Sequence, residues 1–256
     1  MMKNRNFIFN PKKMKPLLNL LSFLFLLSSC DSTKPVAVTY NNYQVEKQVK
    51  VDSNMLSMLQ PYSDSLRHTL QQVIGFSTMG MYRKQPECEL GNYITDAMKE
   101  MASQKFGKKV NMAFINYNSL RSYVPKGDVN IERMYQLVPA DHILIVMDVK
   151  GEVLRILLNR IAEKGGWPVS GMTMSIKDNK PFDVSIEGEF LNDAKTYTIA
   201  TIELLADGAD DCDILKSRPF LNQGYLLRDA VIGYTMQMTR QGKPVDCKIE
   251  GRIGLR

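Results

Sequence analysis

The chain has 256 residues, 44% hydrophobic and 23% charged, enough apolar content for one sizeable core or a core with a small appendage. Its net charge of +6 would ordinarily raise nucleic acid as a partner, but Lys3, Arg5, Lys12, Lys13 and Lys15 all precede residue 16, and no acidic residue precedes Asp31. Without that opening stretch the charge falls to +1, so charge gives no ground for nucleic-acid binding.

The opening stretch has the layout of an export signal. Its apolar run, Leu17 to Leu27, is eleven residues interrupted by Asn19 and Ser22, too short for a spanning helix, which needs about 20. Leu27-Ser28-Ser29-Cys30 resembles the bacterial lipoprotein box. That resemblance implies a signal peptide over residues 1–29, lipidation at Cys30, a tether over 30–50 and a chain anchored to the cell envelope, expected at the outer membrane. The alternative is an ordinary secretory signal with a chance cysteine, and Met14 offers an alternative start. After such processing Cys88, Cys212 and Cys247 remain, which permits at most one internal disulfide; no CxxC pair points to structural zinc.

Alternating Val36, Val38, Tyr40, Tyr43 and Val45 predict an edge strand at the end of the tether. From Asp52 to Ile74, Met55, Leu56, Met58, Leu59, Leu66, Leu70 and Val73 predict an amphipathic helix bent or broken near Pro61 and ended by Gly75. A second helix is predicted from Glu89 to Gln104, then a short strand from Val110 to Ile115. Asn130 caps a short helix, Ile131 to Leu137, that Pro139 stops. The apolar, β-branched run Ile143 to Val149 predicts a central strand covered on both faces. Gly151 then opens a helix from Glu152 to Glu163. Strands are predicted at Met172 to Ile176, Phe182 to Ile186 and Tyr197 to Thr201, followed by a helix from Arg228 to Arg240 and a last strand around Lys248 to Ile253. Helices and strands mix without strict alternation, which predicts an α+β domain over residues 51–256, a mixed β-sheet with packed helices.

Few catalytic constellations are present. Metal-dependent hydrolysis needs several ligands converging on one or two ions. The chain has only two histidines, His68 in a helix and His142 after Asp141, and no HExxH. No catalytic metal centre and no resident cofactor are expected from these residues. GxSxG is absent, and Cys88 between Glu87 and Glu89 sits where negative charge opposes thiolate formation. Asp207-Gly208-Ala209-Asp210-Asp211 reads as a solvated acidic turn or a binder of sugar hydroxyls. Asn116, Tyr117, Asn118, Ser119 and Arg121 end an apolar run with amides, a hydroxyl and a guanidinium. They form either an anion or heterocycle cradle or a solvated loop tip.

Several motifs, taken in order, resemble one family. They are Pro61-Tyr62; Glu87 to Met98, similar to E-x-x-x-GN-x-x-x-DA; Asn116 to Arg121, similar to N-G-G-G-x-R; Leu137-Val138-Pro139; Val146 to Leu158; Val169-Ser170-Gly171; Tyr197 to Thr201; Leu204 to Asp211; and Glu250-Gly251-Arg252-Ile253. The family is the C-terminal substrate-recognition domain of 5'-nucleotidases, including the UDP-sugar hydrolase type, and the resemblance covers about residues 60–256. It implies that Asn116 and Arg121 contact nucleotide, that Lys84 stands at a basic contact position and that Asp210 binds ribose hydroxyls. The two aromatic rings that clamp the base in the family are replaced by Ala140 and Leu204, while Tyr117, Asn118 and Ser119 replace glycines. Stacking contributes about 1–3 kcal/mol per base in single-strand binders, so nucleotide affinity is expected to be weakened unless Tyr117 or another ring substitutes.

The resemblance further implies a separate metallophosphoesterase that holds the divalent metals and docks with this chain in nucleotide catabolism. The alternatives are a non-catalytic binding lipoprotein with a degenerate nucleotide pocket and a fold reused for protein contacts. Cys88 and Cys212 fall in the motifs that flank the family's pocket; a disulfide between them and two free thiols both stay open.

Overall fold

Val73 and Ile74, placed at the end of a helix by their spacing, instead begin a strand. The structure, a computed structural model, describes residues 51–121 and 123–256. The export segment, Cys30 and the tether with its expected edge strand lie outside the described residues. From Ser53 onward the chain forms one compact unit.

Helix α1, Ser53–Leu70, continues through Pro61, so the helix is not broken there. Proline's fixed φ is helical, but inside a helix it removes one N–H from the ladder and its ring crowds the carbonyl four residues earlier. The expected apolar face covers no core: Met55, Leu59, Tyr62 and Leu66 are 50–74% exposed, and no residue of α1 is buried. Strand β1, Val73–Ser77, pairs antiparallel with β3, Gly127–Asn130, with a bulge between Val73 and Gly75. Ile74 is buried there, because its partner strand arrives from fifty residues downstream.

Helix α2, Glu89–Phe106, starts at Cys88, whose Sγ accepts the Gly91 N–H at 3.2 Å, and ends at Gly107. Strand β2, Met112–Phe114, leads into a 3-10 turn, Tyr117–Ser119. Helix α3, Ile131–Leu137, follows β3, and the Asn130 side chain caps it by accepting the Arg133 N–H at 3.0 Å. Next come β4, Leu144–Lys150, and α4, Gly151–Glu163. They are followed by β5, Val169–Ser170; β6, Met172–Lys177; β7, Lys180–Ile186; β8, Glu189–Phe190; and β9, Thr196–Ile202. Short helix α5, Glu203–Ala206, then β10, Phe220–Leu221, α6, Leu227–Arg240, and β11, Ile253–Leu255, complete the chain.

Among the described residues the strands form three sheets, β1-β3, β10-β4-β9-β2-β5 and β11-β6-β7-β8. The architecture is α+β with mixed sheets. Strand β9 is central: it runs antiparallel to β4 from Leu144↔Ile202 to Lys150↔Thr196 and parallel to β2. Leu144 to Met147 and Tyr197 to Ile202 are buried at successive positions, so both faces of this sheet are covered. Helix α2 packs on it and on α6, while α4 packs against β4 and β7.

The last strand begins later than its sequence pattern predicts. Lys248 to Glu250 wrap over the start of α2 instead: Asn92 Nδ2 donates to the Lys248 carbonyl at 2.9 Å, and the Glu250 N–H donates to Glu87 at 2.8 Å. Cys88, Cys212 and Cys247 are free thiols. Among the described residues no helix is long and apolar enough to cross a membrane.

Candidate functional site

Parallel strands β2 and β9 end at the same edge of the central sheet, so the loops that follow them emerge side by side. That edge, beyond the C-terminal ends of parallel strands, is where open sheets commonly gather ligand-binding groups. After β2, Phe114 and Ile115 are fully buried and Asn116 leaves the sheet in extended conformation. The Ser119 N–H closes the following turn on the Asn116 carbonyl at 3.2 Å. After β9, Ile202 leads into α5, and Gly208 turns the chain with φ 96, a left-handed conformation that glycine adopts without steric penalty.

The two loops meet through their side chains. Asn116 Nδ2 donates to Asp210 Oδ2, and Ser119 Oγ donates to Asn116 Oδ1. Asn116 is 5% exposed, so its amide orientation is fixed by both partners. Asp210 and Asp211 adopt left-handed φ values of 53 and 65, which aspartate tolerates better than most residues but which still cost about 1–2 kcal/mol each. Asp211 is tied to Lys164 at 2.6 Å. Beneath the loop Cys212 is buried, and burial, with Asp210, Asp211 and Asp213 nearby, pushes its thiol up to about 12. Asp210 thus offers one oxygen to Asn116, while no other donor among the described residues reaches it. A carboxylate with one oxygen engaged and the other open suits adjacent sugar hydroxyls.

Arg121 does not join this pair. Its N–H donates to the Leu137 carbonyl at 3.0 Å, and the residue lines a separate hollow of about 680 Å³ with Tyr82, Arg83, Asn118 and Tyr123. One loop, residues 116–121, therefore presents Asn116 and Ser119 to Asp210 and Asn118 and Arg121 to the hollow.

Lys84 is exposed. Its neighbour Arg83 is the group that reaches the loop, donating to the Leu120 carbonyl at 2.6 Å and the Tyr117 carbonyl at 3.4 Å, with its guanidinium 4.3 Å from the Tyr117 ring centroid. The half-buried Tyr117 ring packs on the core and is engaged by Arg83 rather than standing free. Arg83, Tyr82 and Tyr123 leave no mark in the sequence pattern beyond the adjacent basic pair at 83 and 84.

Ala140 is exposed, in a turn held from below by Arg228, whose Nη1 donates to the Val138 carbonyl at 3.1 Å and Nη2 to Asp141 at 2.5 Å. Leu204 is 40% exposed at the start of α5. Glu203 joins these two segments: its N–H donates to the Ile143 carbonyl at 3.0 Å and its carboxylate accepts the Ile143 N–H at 2.6 Å. Neither position supplies a ring.

His68 is exposed on α1, and the His142 ring lies 3.7 Å from Glu203. Among the described residues no three His, Cys, Asp or Glu side chains are grouped so that they could hold a metal ion. A further hollow of about 660 Å³, near Asp96, Lys99, Lys109 and Glu187, lies by the opposite end of β2. There Lys109 is already paired with Glu187 at 2.9 Å.

A family profile described as 5'-nucleotidase, C-terminal domain, matches residues 68–217. Protein UshA of Escherichia coli is 22% identical over 210 residues, covering 79% of this chain and 37% of that protein. The trifunctional nucleotide phosphoesterase protein YfkN of Bacillus subtilis is 26% identical over 217 residues, covering 76% of this chain and 14% of that protein. The crystal structure of a 5'-nucleotidase precursor from Thermus thermophilus superposes with a TM-score of 0.65 at 24% identity, covering 78% of this chain and 42% of that one; this likeness concerns the fold. The chain thus spans well under half the length of these relatives.

Proposed function

The chain belongs to the 5'-nucleotidase C-terminal domain family, and on that premise we propose that it is the nucleotide-recognition half of a 5'-nucleotidase-type hydrolase whose metal-bearing half is a separate metallophosphoesterase. The observation that carries this reading is the Asn116–Asp210 hydrogen bond across the ends of β2 and β9. It fixes an amide and a half-free carboxylate in an arrangement suited to ribose hydroxyls. The relatives' names support nucleotide esters as the ligand class: the Bacillus subtilis protein is called a nucleotide phosphoesterase.

In the same proposal Asn116 and Asp210 hold the sugar, Arg121 reaches the anion from the neighbouring hollow, and Cys30 carries a lipid that holds the domain at the envelope, at the outer membrane. Affinity purification of the full chain from native envelope, followed by an AMP phosphatase assay, tests the split arrangement. A co-purifying metallophosphoesterase whose AMP hydrolysis rises on adding back this chain supports it. A chain that comes down alone and changes no phosphatase activity overturns it.

The second reading, a binding lipoprotein without catalysis, is favoured by Ala140 and Leu204 standing where the family clamps a base. It predicts nucleotide or nucleoside binding with no effect on any hydrolase.

A further inference from the structure

Ala140 and Leu204 leave the ligand's ring without a stacking partner, yet two tyrosines stack at the surface beside the same loop. Met81 and Val124 form an isolated antiparallel bridge, with reciprocal N–H to carbonyl bonds of 2.9 and 3.0 Å. Both side chains are fully buried. In such a bridge the next opposed residues are 82 and 123, and their side chains fall on the other face. Tyr82 and Tyr123 accordingly stack, ring centroids 5.5 Å apart and planes within 10°. Burial of the bridge fixes where the pair stands, while the rings themselves remain 58% and 42% exposed. Arg133 approaches the Tyr123 ring at 5.4 Å.

Two further features concern access and charge. A Cβ at Gly80 would come within 2.9 Å of Tyr82 Cε2, and Gly80 does not need a left-handed φ. Room beside the ring, rather than backbone conformation, is therefore what glycine supplies there. Arg121 lines the same hollow, and among the described residues its guanidinium has no hydrogen bond or ion pair. Arg83, by contrast, is committed to the loop carbonyls. The hollow thus combines a two-ring platform with one uncommitted guanidinium in about 680 Å³, a volume in the range of small-molecule sites.

We infer that Tyr82 and Tyr123 bind the ring of an aromatic phosphate ester whose anion is held by Arg121, replacing the clamp absent at Ala140 and Leu204. This inference rests on the nucleotide reading above and adds to it the place where the ring sits. Stacking on tyrosine is tolerant of ring identity, since any planar base presents a π-face. The hollow therefore selects for a ring joined to an anion rather than for one base, and a guanidinium supplies the paired donors that phosphate oxygens accept.

Calorimetric titration of the full chain with AMP, adenosine and ribose 5-phosphate tests it. Tyr82→Ala and Tyr123→Ala are each expected to weaken AMP and adenosine about tenfold and to leave ribose 5-phosphate unchanged. Tyr82→Phe, which keeps the platform, is expected to match the parent chain. Arg121→Ala is expected to weaken AMP and ribose 5-phosphate together and to spare adenosine. If AMP binds, Asp210→Ala weakens it and both tyrosine variants equal the parent, the platform is overturned while the nucleotide reading stands. If AMP and adenosine fail to bind the parent chain, the nucleotide reading falls and the platform with it.

Discussion

Asp96 and Arg252, 156 residues apart, meet in a two-pronged ion pair, Nη1 to Oδ1 and Nη2 to Oδ2 both at 2.8 Å. The Arg252 side chain is 9% exposed and also reaches the Val169 carbonyl at 2.9 Å and Glu250 at 3.0 Å. Ser170 Oγ donates to Asp96 at 2.6 Å. Burial alone would push the guanidinium down, but Asp96 and Glu250 outweigh it and hold it above its ordinary value. The pair joins the middle of α2 to β5 and to the chain just before β11.

Asp96 is 27% exposed, so losing its partner costs less than the about 3–5 kcal/mol of a fully buried pair. Arg252→Ala is therefore expected to lower unfolding stability by about 2 kcal/mol, measured by urea denaturation. A loss below about 1 kcal/mol would show that the pair does little for the fold.

Helix α1 gives the opposite expectation. Leu59 is 50% exposed and the helix buries no residue, so Leu59→Glu should change the stability of the unit by less than about 0.5 kcal/mol. A drop of 2 kcal/mol in the urea midpoint analysis would mean that the apolar stripe is covered in solution.

Asp246 supplies a pH signature. Burial would push its carboxyl up, but the Thr78 hydroxyl and N–H and the Ser77 hydroxyl donate to it and hold it below the ordinary value. A folded pKa below the unfolded one means that the unfolded chain binds the proton more tightly. The contribution is complete above the unfolded value, about 3.9, and is lost as pH falls through that value to the folded one. Asp246→Asn should therefore be less stable than the parent at pH 7, with the gap narrowing below about pH 4. Asp148 and Glu187, also held low, titrate in both proteins and cancel in the comparison. A gap independent of pH would contradict the assignment.

The thiols of Cys212 and Cys247 are each pushed up to about 12, chiefly by burial, with Asp210 and Asp96 respectively adding to it. Only the thiolate attacks an alkylating agent, so iodoacetamide at pH 8 should modify both slowly in the folded chain and readily after denaturation. Equal rates in the two states, followed by mass spectrometry, would contradict this.

What the sequence made legible was local. Asn130 capping Ile131–Leu137 and the apolar run of β4 both appear where their patterns place them, because cap chemistry and burial on both faces leave marks within a few residues. Strands β1 and β3 left no such mark: Val73 and Ile74 continue a helical spacing, and only a partner fifty residues away makes them a strand. The closing strand starts later than its pattern because Lys248 to Glu250, which alternate like a strand, bond to the start of α2.

The site divides in the same way. Asn116 and Asp210 were singled out through resemblance, and the parallel pairing of β2 with β9 is what brings residues 94 positions apart into contact. Arg121, which the resemblance groups with them, lines the neighbouring hollow instead. Tyr82 and Tyr123 could not be foreseen, since a single bridge between Met81 and Val124 aligns them.

The most direct measurement is calorimetric titration of AMP into the full chain and into its Asp210→Ala variant. Binding by the parent and a loss of at least tenfold in the variant is the expected result, since an open carboxylate bonding sugar hydroxyls contributes about 1.5–3 kcal/mol. AMP heats identical for the two proteins, or none from either, would contradict nucleotide recognition at the Asn116–Asp210 pair.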